Sequence, residues 1–383
     1  MYTVYDYGRM MCDETRMKAF LGALERCVKP GCTVADLGTG TGIFALVAAK
    51  LGARHVYAID PNNAIEVGKE VARENGLADR VTFFRAMSTE VELPEKVDVI
   101  VSDMRGQLPV SSTNLPSLAD ARDRFLAPGG VMIPLRDRLF ASLVDAPDLY
   151  ANLIAAWEPG RFHGLVHGAA KRSVLQSTYA DHASPIDAPQ MLMPGAAWAD
   201  IDYATQASRT IQGRVERKVT RKGTAHGLCV WFESTTCEGI TYSTGPAPDS
   251  MVYARMFMPL LEPVAVDAGD ELTLLLRADP AGTEHTWTWE TTLRRGGERL
   301  ASFRQSTFLG EPMSREDFQH AADDFAPTRS ARADAWREVL QRMDGHATTK
   351  ELATYLADKY PNLYRTLSDA LAEIKQLDRR LRT

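Results

Sequence analysis

Along the first third of the chain, short continuous apolar runs alternate with longer segments whose apolar residues recur at helical spacing. The runs are Val34 to Leu37, His55 to Ile59, Val81 to Arg85, Val97 to Asp103 and Val131 to Pro134. Between them lie a helix-like segment up to Lys50, another over Asn63 to Asn75 ended by Gly76, and a third over Leu115 to Leu126 stopped by Pro128, Gly129 and Gly130. Strands without alternation are buried on both faces, so this pattern predicts a parallel sheet covered by helices. A further helix is expected from about Asp13 to Cys27, with Met17, Phe20, Leu21 and Leu24 on one face.

After residue 135 the texture changes to short alternating segments, such as Gly227 to Phe232, Leu272 to Arg277 and Thr286 to Thr291, separated by Gly, Pro and Asp. That pattern predicts an antiparallel barrel or sandwich. Leu149 to Trp157 and the loop from Gly160 to Gly168 interrupt it as a helical insert, readable as a protruding arm or as a surface excursion. Beyond Pro312 the chain turns helical and charged, with a capping box at Thr348 and Glu351 and a stripe of Leu367, Leu371, Ile374, Leu377 and Leu381. The expected fold class is α/β: a Rossmann-like domain over 1–135, a β-barrel domain over 136–310 and a helical module over 311–383.

The stretch VADLGTGTGIFALVAAKLGARHVYAID, Val34 to Asp60, gives the first domain its chemistry. A strand runs into a turn carrying Gly38, Thr39, Gly40 and Gly42, a helix follows, and a second strand ends in Asp60 and Pro61. Glycines at such a turn let a ligand approach the backbone where a helix N-terminus presents free N–H groups. An acid roughly 20 residues further on can accept both hydroxyls of a ribose. The glycine spacing is GxGxG rather than the GxGxxG of dinucleotide sites, and Asp36 adds an acceptor just before it. S-adenosylmethionine is therefore favoured over a nicotinamide. Ligands in open parallel sheets lie beyond the carboxyl ends of the strands, where Asp36, Asp60 and Asp103 all fall.

With 383 residues, 45% hydrophobic and 25% charged, the composition is that of a globular protein large enough for more than one core. A net charge of -6 gives no basis for nonspecific nucleic-acid binding. The five cysteines include no CxxC, which argues against a zinc site or a disulfide framework. No apolar run reaches spanning length and the first residues lack a signal peptide's apolar region, so a cytoplasmic location is expected, with neither membrane nor nucleic acid as partner.

Taken together, the glycine stretch, VELPEKVDVIVSDMRGQ, GLCVWFE (Gly227 to Glu233) and the segment from Ser243 to Leu272 resemble the protein arginine methyltransferases, in order and spacing, over about residues 1 to 310. The resemblance implies a class I methyltransferase domain, a barrel, a dimerisation arm near 148–170 and hence a homodimer. It also implies that Arg16 holds the methionine carboxylate of S-adenosylmethionine, Met10 lines the methyl-donor end, Asp60 binds the ribose, and Ser88 and Thr89 flank the adenine. A planar guanidinium fork suits a carboxylate in any case.

The acceptor loop departs from the family. The family's loop typically reads SEWMG, with a second Glu nine residues after the first; here it reads Ser102, Asp103, Met104, Arg105, Gly106, and the second position falls on Ser112. The family's Thr-His-Trp element falls at about Ser250, Met251 and Val252, so its His and Trp are missing as well. Leaving a buried guanidinium without its partner costs about 3 to 5 kcal/mol, which disfavours ordinary protein-arginine methylation. Asp103, Arg105 and Ser112 are the candidate catalytic positions. Asp103 is expected to orient or deprotonate the acceptor, and Arg105 either to bind a substrate carboxylate or to be a solvated loop charge. His163 and His226 are weaker candidates as bases.

The leading expectation is methyl transfer to an amine or carboxyl group of a peptide or small metabolite. The C-terminal segment from Trp336 to Leu371 faintly resembles small peptide-binding domains attached to peptide-tailoring enzymes, which favours a peptide. Two alternatives stand beside it: arginine methylation with Glu158 or Glu233 replacing the lost acid, and a cofactor-binding scaffold without catalysis.

Overall fold

The structure, a computed structural model, describes residues 2–110, 113–158, 163–246, 252–282, 284–320 and 324–381. It divides into two compact units, Met1–Pro312 and Met313–Thr383.

The first unit opens with two helices, α1 (Val4–Met11) and α2 (Glu14–Cys27). Thr3 and Asp6 close a capping box on α1, a helix that buries no residue. Asp13 caps α2 by accepting from Arg16 N at 3.0 Å through Oδ1, while its Oδ2 accepts from Val252 N at 2.8 Å. One carboxylate thus fixes the start of α2, and with it Arg16, against a loop some 240 residues away.

Next come β1 (Thr33–Leu37), α3 (Ile43–Lys50), β2 (His55–Ile59), α4 (Ile65–Glu74), β3 (Val81–Phe84), β4 (Val97–Ser102), α5 (Asn114–Phe125) and β5 (Leu126–Ile133). The five strands are parallel, in the order β3-β2-β1-β4-β5. β1 is buried along its whole length, Thr33 and Asp36 included, as a strand covered on both faces is. The order reverses between β1 and β4, and a ligand crevice opens at such a switch point. One sequence expectation fails here. Pro128, Gly129 and Gly130 do not separate helix from strand, because α5 runs directly into β5 and these residues lie within it.

The remainder of the unit is antiparallel. It comprises β6 (Arg136–Val144), α6 (Pro147–Ile154), α7 (Gly168–Val174), β7 (Tyr179–Ala180), β8 (Ala196–Asp202), β9 (Ile211–Lys218), β10 (Gly223–Cys237), β11 (Ile240–Ser243), β12 (Met256–Val266), β13 (Glu271–Ala281), β14 (Glu284–Arg295), β15 (Glu298–Ser306) and a short α8 (Thr307–Gly310). These strands form a six-stranded sheet, β7-β12-β10-β6-β8 with β11 on β10, and a four-stranded sheet, β15-β14-β13-β9. Alternating burial along β13 and β14 confirms strands with one face on the core. One large apolar core runs from the parallel sheet into both antiparallel ones, and a smaller cluster including Val144, Leu149, Tyr150, Leu175, Ile186 and Phe257 packs around α6.

The second unit contains α9 (Arg315–His320), α10 (Ala331–Leu340), α11 (Thr349–Lys359) and α12 (Leu367–Leu381) around its own small core of Ala335, Val339, Leu352, Leu356, Tyr364, Ile374 and Leu377. Thr348 and Glu351 form the expected capping box on α11.

Candidate active site

A cavity of about 670 Å³ opens at the carboxyl ends of β1, β2 and β4. Its walls come from α1 and α2 (Tyr7, Met10, Arg16), the glycine turn (Gly38, Thr39, Thr41), the end of β2 (Asp60, Pro61), the 88–90 turn (Ser88), the loop after β4 (Asp103, Met104) and the antiparallel domain (His182, Tyr253).

At one end the turn is held by its own acids. Asp36 Oδ2 accepts from Thr39 Oγ1 at 2.6 Å and from Ala45 N at 2.9 Å, tying the turn to the first residues of α3. Burial pushes the Asp36 carboxyl up to about 7, against the opposing pull of those two bonds. Asp60 Oδ2 accepts from Gly40 N at 2.8 Å and Oδ1 from Asn62 N at 2.7 Å. Burial raises its carboxyl too, while the two N–H groups oppose the rise. Gly38, Gly40 and Gly42 have φ of 72°, 55° and 87°, a region where side chains are strained.

The glycines do more than expose backbone. A Cβ on Gly38 would stand 2.5 Å from Met104 Cγ, and one on Gly40 would fall against the Tyr7 ring. Those two side chains pack on the glycine faces and line the cavity beside them. The Tyr7 hydroxyl is pushed up to about 12, by burial and then by Asp60.

At the other end the arrangement centres on Asp103. Its Oδ2 accepts from Arg16 Nε, its Oδ1 from Arg105 Nε at 3.0 Å and Nη2 at 2.9 Å, and the Tyr253 hydroxyl lies 2.5 Å from both oxygens. Burial pushes this carboxyl up, but Arg16 and then Arg105 outweigh it and hold it at about 2. Arg16 also donates from Nη1 to Met10 O at 3.0 Å and to Met17 Sδ at 3.2 Å; its Nη2 has no hydrogen-bond partner among the described residues.

Arg105 neither faces the cavity to bind a substrate carboxylate nor is a solvated loop charge, the two roles expected from the sequence. It is 1% exposed and lies outside the cavity wall. Besides its bonds to Asp103, Nη1 donates to Asp137 Oδ1 at 2.9 Å and Ser234 Oγ at 2.6 Å, and Nη2 to Tyr242 Oη at 2.5 Å. A guanidinium has five N–H donors, and here all five are taken. Neither substrate carboxylate nor water finds a donor left.

The cavity thus brings together Met10, Arg16, Gly38, Thr39, Asp60, Pro61, Ser88 and Asp103. It does not include Asp36, Gly40 or Gly42, which shape the turn from behind, nor Thr89, which is exposed. Ser112, Ser250 and Met251 lie outside the described residues. His226 lies in the antiparallel domain, with Nδ1 3.3 Å from Asp145 Oδ1 and its ring 5.7 Å from that of Tyr150, and His163 is exposed; neither reaches the cavity. Glu158 is paired with Lys171, and neither it nor Glu233 lines the cavity, so the two acids proposed as substitutes are not there. Tyr7, Asp137, His182, Tyr242 and Tyr253 went unnoticed in the sequence. No local signal marks the last four, whereas Tyr7 belongs to an aromatic cluster with Tyr2 and Tyr5 that could have been suspected.

The cofactor half matches a known design. The family model described as ribosomal protein L11 methyltransferase matches residues 14–133. An arginine N(omega)-methyltransferase of Streptomyces achromogenes subsp. streptozoticus is 30% identical over 275 residues, covering 70% of this chain and 74% of that protein. The chain belongs to the arginine methyltransferase family.

Members of this family are class I S-adenosylmethionine-dependent methyltransferases, and S-adenosylmethionine is the cofactor. A probable histone-arginine methyltransferase CARM1 of Oryza sativa subsp. indica is 32% identical over 298 residues, covering 71% of this chain and 55% of its own length. The chain spans about half the length of the first curated relatives it matches. Among solved family structures, protein arginine methyltransferase 10 of Arabidopsis thaliana superposes with a TM-score of 0.70 at 22% identity, covering 79% of this chain and 97% of that one. The PRMT1 enzyme-prozyme complex of Trypanosoma brucei with AdoHcy gives 0.71 at 21%, covering 78% and 96%. These structures share the fold: a Rossmann-like domain followed by an antiparallel barrel. Among the described residues no helix is long and apolar enough to cross a membrane, and no cluster of three metal-binding side chains occurs.

Proposed function

We propose that the chain is a methyltransferase acting on an amine or carboxyl group of a peptide or small metabolite. The observation that carries this reading is the state of Asp103. Two guanidinium groups and a phenol share one carboxylate, so the described residues of the acceptor end offer a cation no uncompensated negative charge. Asp60 and Asp103 are the only carboxylates among the described residues of the cavity wall, and Asp60 belongs to the donor end.

The residues present fit S-adenosylmethionine. Asp60 keeps lone pairs on both oxygens for ribose hydroxyls after accepting its two N–H bonds. Arg16 has Nη2 in reserve for the methionine carboxylate, Met10 stands beside it, and Ser88 and Thr89 lie on the turn assigned to the adenine. When bound, the cofactor supplies an electrophilic methyl on a sulfonium. The protein's part is to hold a lone pair behind that methyl at about 3 to 3.5 Å and to exclude water. Tyr253, anchored on Asp103, gives the acceptor a hydroxyl oxygen to bond to. Asp103, held at about 2, orients through its charge and is a poor base. In the same reading 1–135 binds cofactor, 136–310 shapes the acceptor site and dimerises through the arm near 148–170, and the protein acts in the cytoplasm.

A second reading, methylation of an arginine nitrogen, is favoured by the names of the relatives given above, which are arginine methyltransferases. It requires an acid other than Asp103 to receive the guanidinium. Incubation with methyl-labelled cofactor and pooled peptides, amino acids and amines separates the two. Label released as methanol by mild base identifies a carboxyl acceptor, and base-stable label on an amine an N-methyl product. Label on arginine alone supports the second reading, and cofactor binding without transfer to any pool contradicts both.

A further inference from the structure

The surroundings of Arg105 have the composition of a guanidinium-binding site. Two buried carboxylates, Asp103 and Asp137, face its two edges, and Ser234 and Tyr242 take the remaining N–H groups. Four aromatic rings surround the plane, with centroids at 5.1 Å (Phe232), 5.3 Å (Phe20), 5.6 Å (Tyr242) and 6.0 Å (Tyr253). Carboxylates at the edges and rings around the face are what an arginine ligand calls for. The shell is assembled from β4's following loop, β6, β10, β11 and α2, so the fold holds it firmly. Asp137 is itself tied by Tyr203 Oη at 2.6 Å, which leaves it no freedom to turn toward the cavity.

Asp103 is the wall between this shell and the cavity. One oxygen is taken by Arg105 from behind and the other by Arg16 from the side. We infer that Arg105 is the specificity-determining residue of the acceptor site: an internal guanidinium that occupies Asp103 and so makes the pocket reject cationic acceptors and admit uncharged or anionic ones. The inference rests on the methyltransferase reading above. It goes beyond it by assigning the selection to one side chain that touches neither cofactor nor acceptor, a positioning residue acting through Asp103.

Calorimetry tests it in two steps. The native protein is first titrated with S-adenosylhomocysteine; absence of uptake contradicts the methyltransferase reading itself. The loaded protein is then titrated with a short arginine-containing peptide. No saturable heat is expected from the native protein, and saturable binding there overturns the inference whatever any variant does. In Arg105→Met combined with Asp137→Asn, which removes the cation without stranding its buried partner, Asp103 is released and the peptide is expected to bind about tenfold or more tighter. Ser234→Ala with Tyr242→Phe loosens Arg105 but keeps every charge, and a smaller gain of the same sign is expected. Arg105→Lys keeps a cation on Asp103, so rejection should persist. A variant that takes up S-adenosylhomocysteine like the native protein yet gains no affinity for the peptide overturns the assignment.

Discussion

The two ends of one cavity are built by different rules. At the donor end the bonds that the two carboxylates accept join residues close in sequence: Thr39 and Ala45 to Asp36, Asn62 and Gly40 to Asp60, with separations of 3, 9, 2 and 20. At the acceptor end the bonds to Asp103 and Arg105 come from Arg16, Asp137, Ser234, Tyr242 and Tyr253, with separations of 87, 32, 129, 137 and 150. A locally specified site keeps its chemistry wherever the strand, turn and helix form. A site assembled from distant elements is open to a change of chemistry through one loop residue, the role we propose for Arg105.

The comparison can be broken most forcefully at Asp103. Asp103→Asn leaves Arg16 without its carboxylate partner and Arg105 with Asp137 alone. Stranding such a charge should destabilise the protein by about 3 to 5 kcal/mol in denaturant unfolding. A loss below about 1 kcal/mol, the range of an exposed pair, would mean that the network is not what holds the acceptor end.

The two acids should also respond to pH with opposite signs. Asp36 is raised from an ordinary carboxyl value to about 7, so its folded form favours the proton. Its contribution to stability is complete below about pH 4 and is lost as pH climbs through 7, on the order of 4 kcal/mol at about 1.4 kcal/mol per pH unit. Asp103, held at about 2, contributes above about pH 4 and loses its contribution as pH falls toward 2. Unfolding measured from pH 3 to 8 on Asp36→Asn should lack the loss between pH 4 and 8 that the native protein shows. The same slope in both proteins would remove Asp36 as its source.

Cofactor affinity sharpens the donor end. Asp60→Ala removes both ribose acceptors and leaves Gly40 N without its bond. S-adenosylhomocysteine should bind on the order of a hundredfold more weakly, as two charge-assisted bonds imply. Unchanged affinity would move the ribose elsewhere. The smallest effect is expected at Gly38→Ala, where the positive φ costs about 1 to 2 kcal/mol and the methyl presses on Met104. Met104→Ala in the same chain should recover the part due to contact but not the part due to φ.

Much of the fold was legible for the same reason as the donor end. Continuous apolar strands separated by helical periods announced the parallel sheet, and alternating burial after residue 135 announced the antiparallel part. Three things were not legible. The passage of α5 into β5 through Pro128 and two glycines is a register irregularity: β4 pairs with Leu126 and again from Val131, and the residues between, with Gly129 at a φ of 80°, are bracketed by those two points. The filling of the Gly38 and Gly40 faces by Met104 and Tyr7 depends on packing between segments that local spacing does not relate. Above all, Arg105 read as a charge near substrate because its partners lie as far as 137 residues away. A buried arginine and a solvated one look the same in a loop.

The claim at the centre is that the donor end is kept while the acceptor end refuses a guanidinium. Its most direct measurement is transfer of labelled methyl from S-adenosylmethionine by the native protein in the presence of an arginine-rich histone, followed by acid hydrolysis and amino-acid analysis. Measurable uptake of the cofactor with no labelled methylarginine is the expected result; labelled methylarginine formed at multiple turnovers would contradict the account.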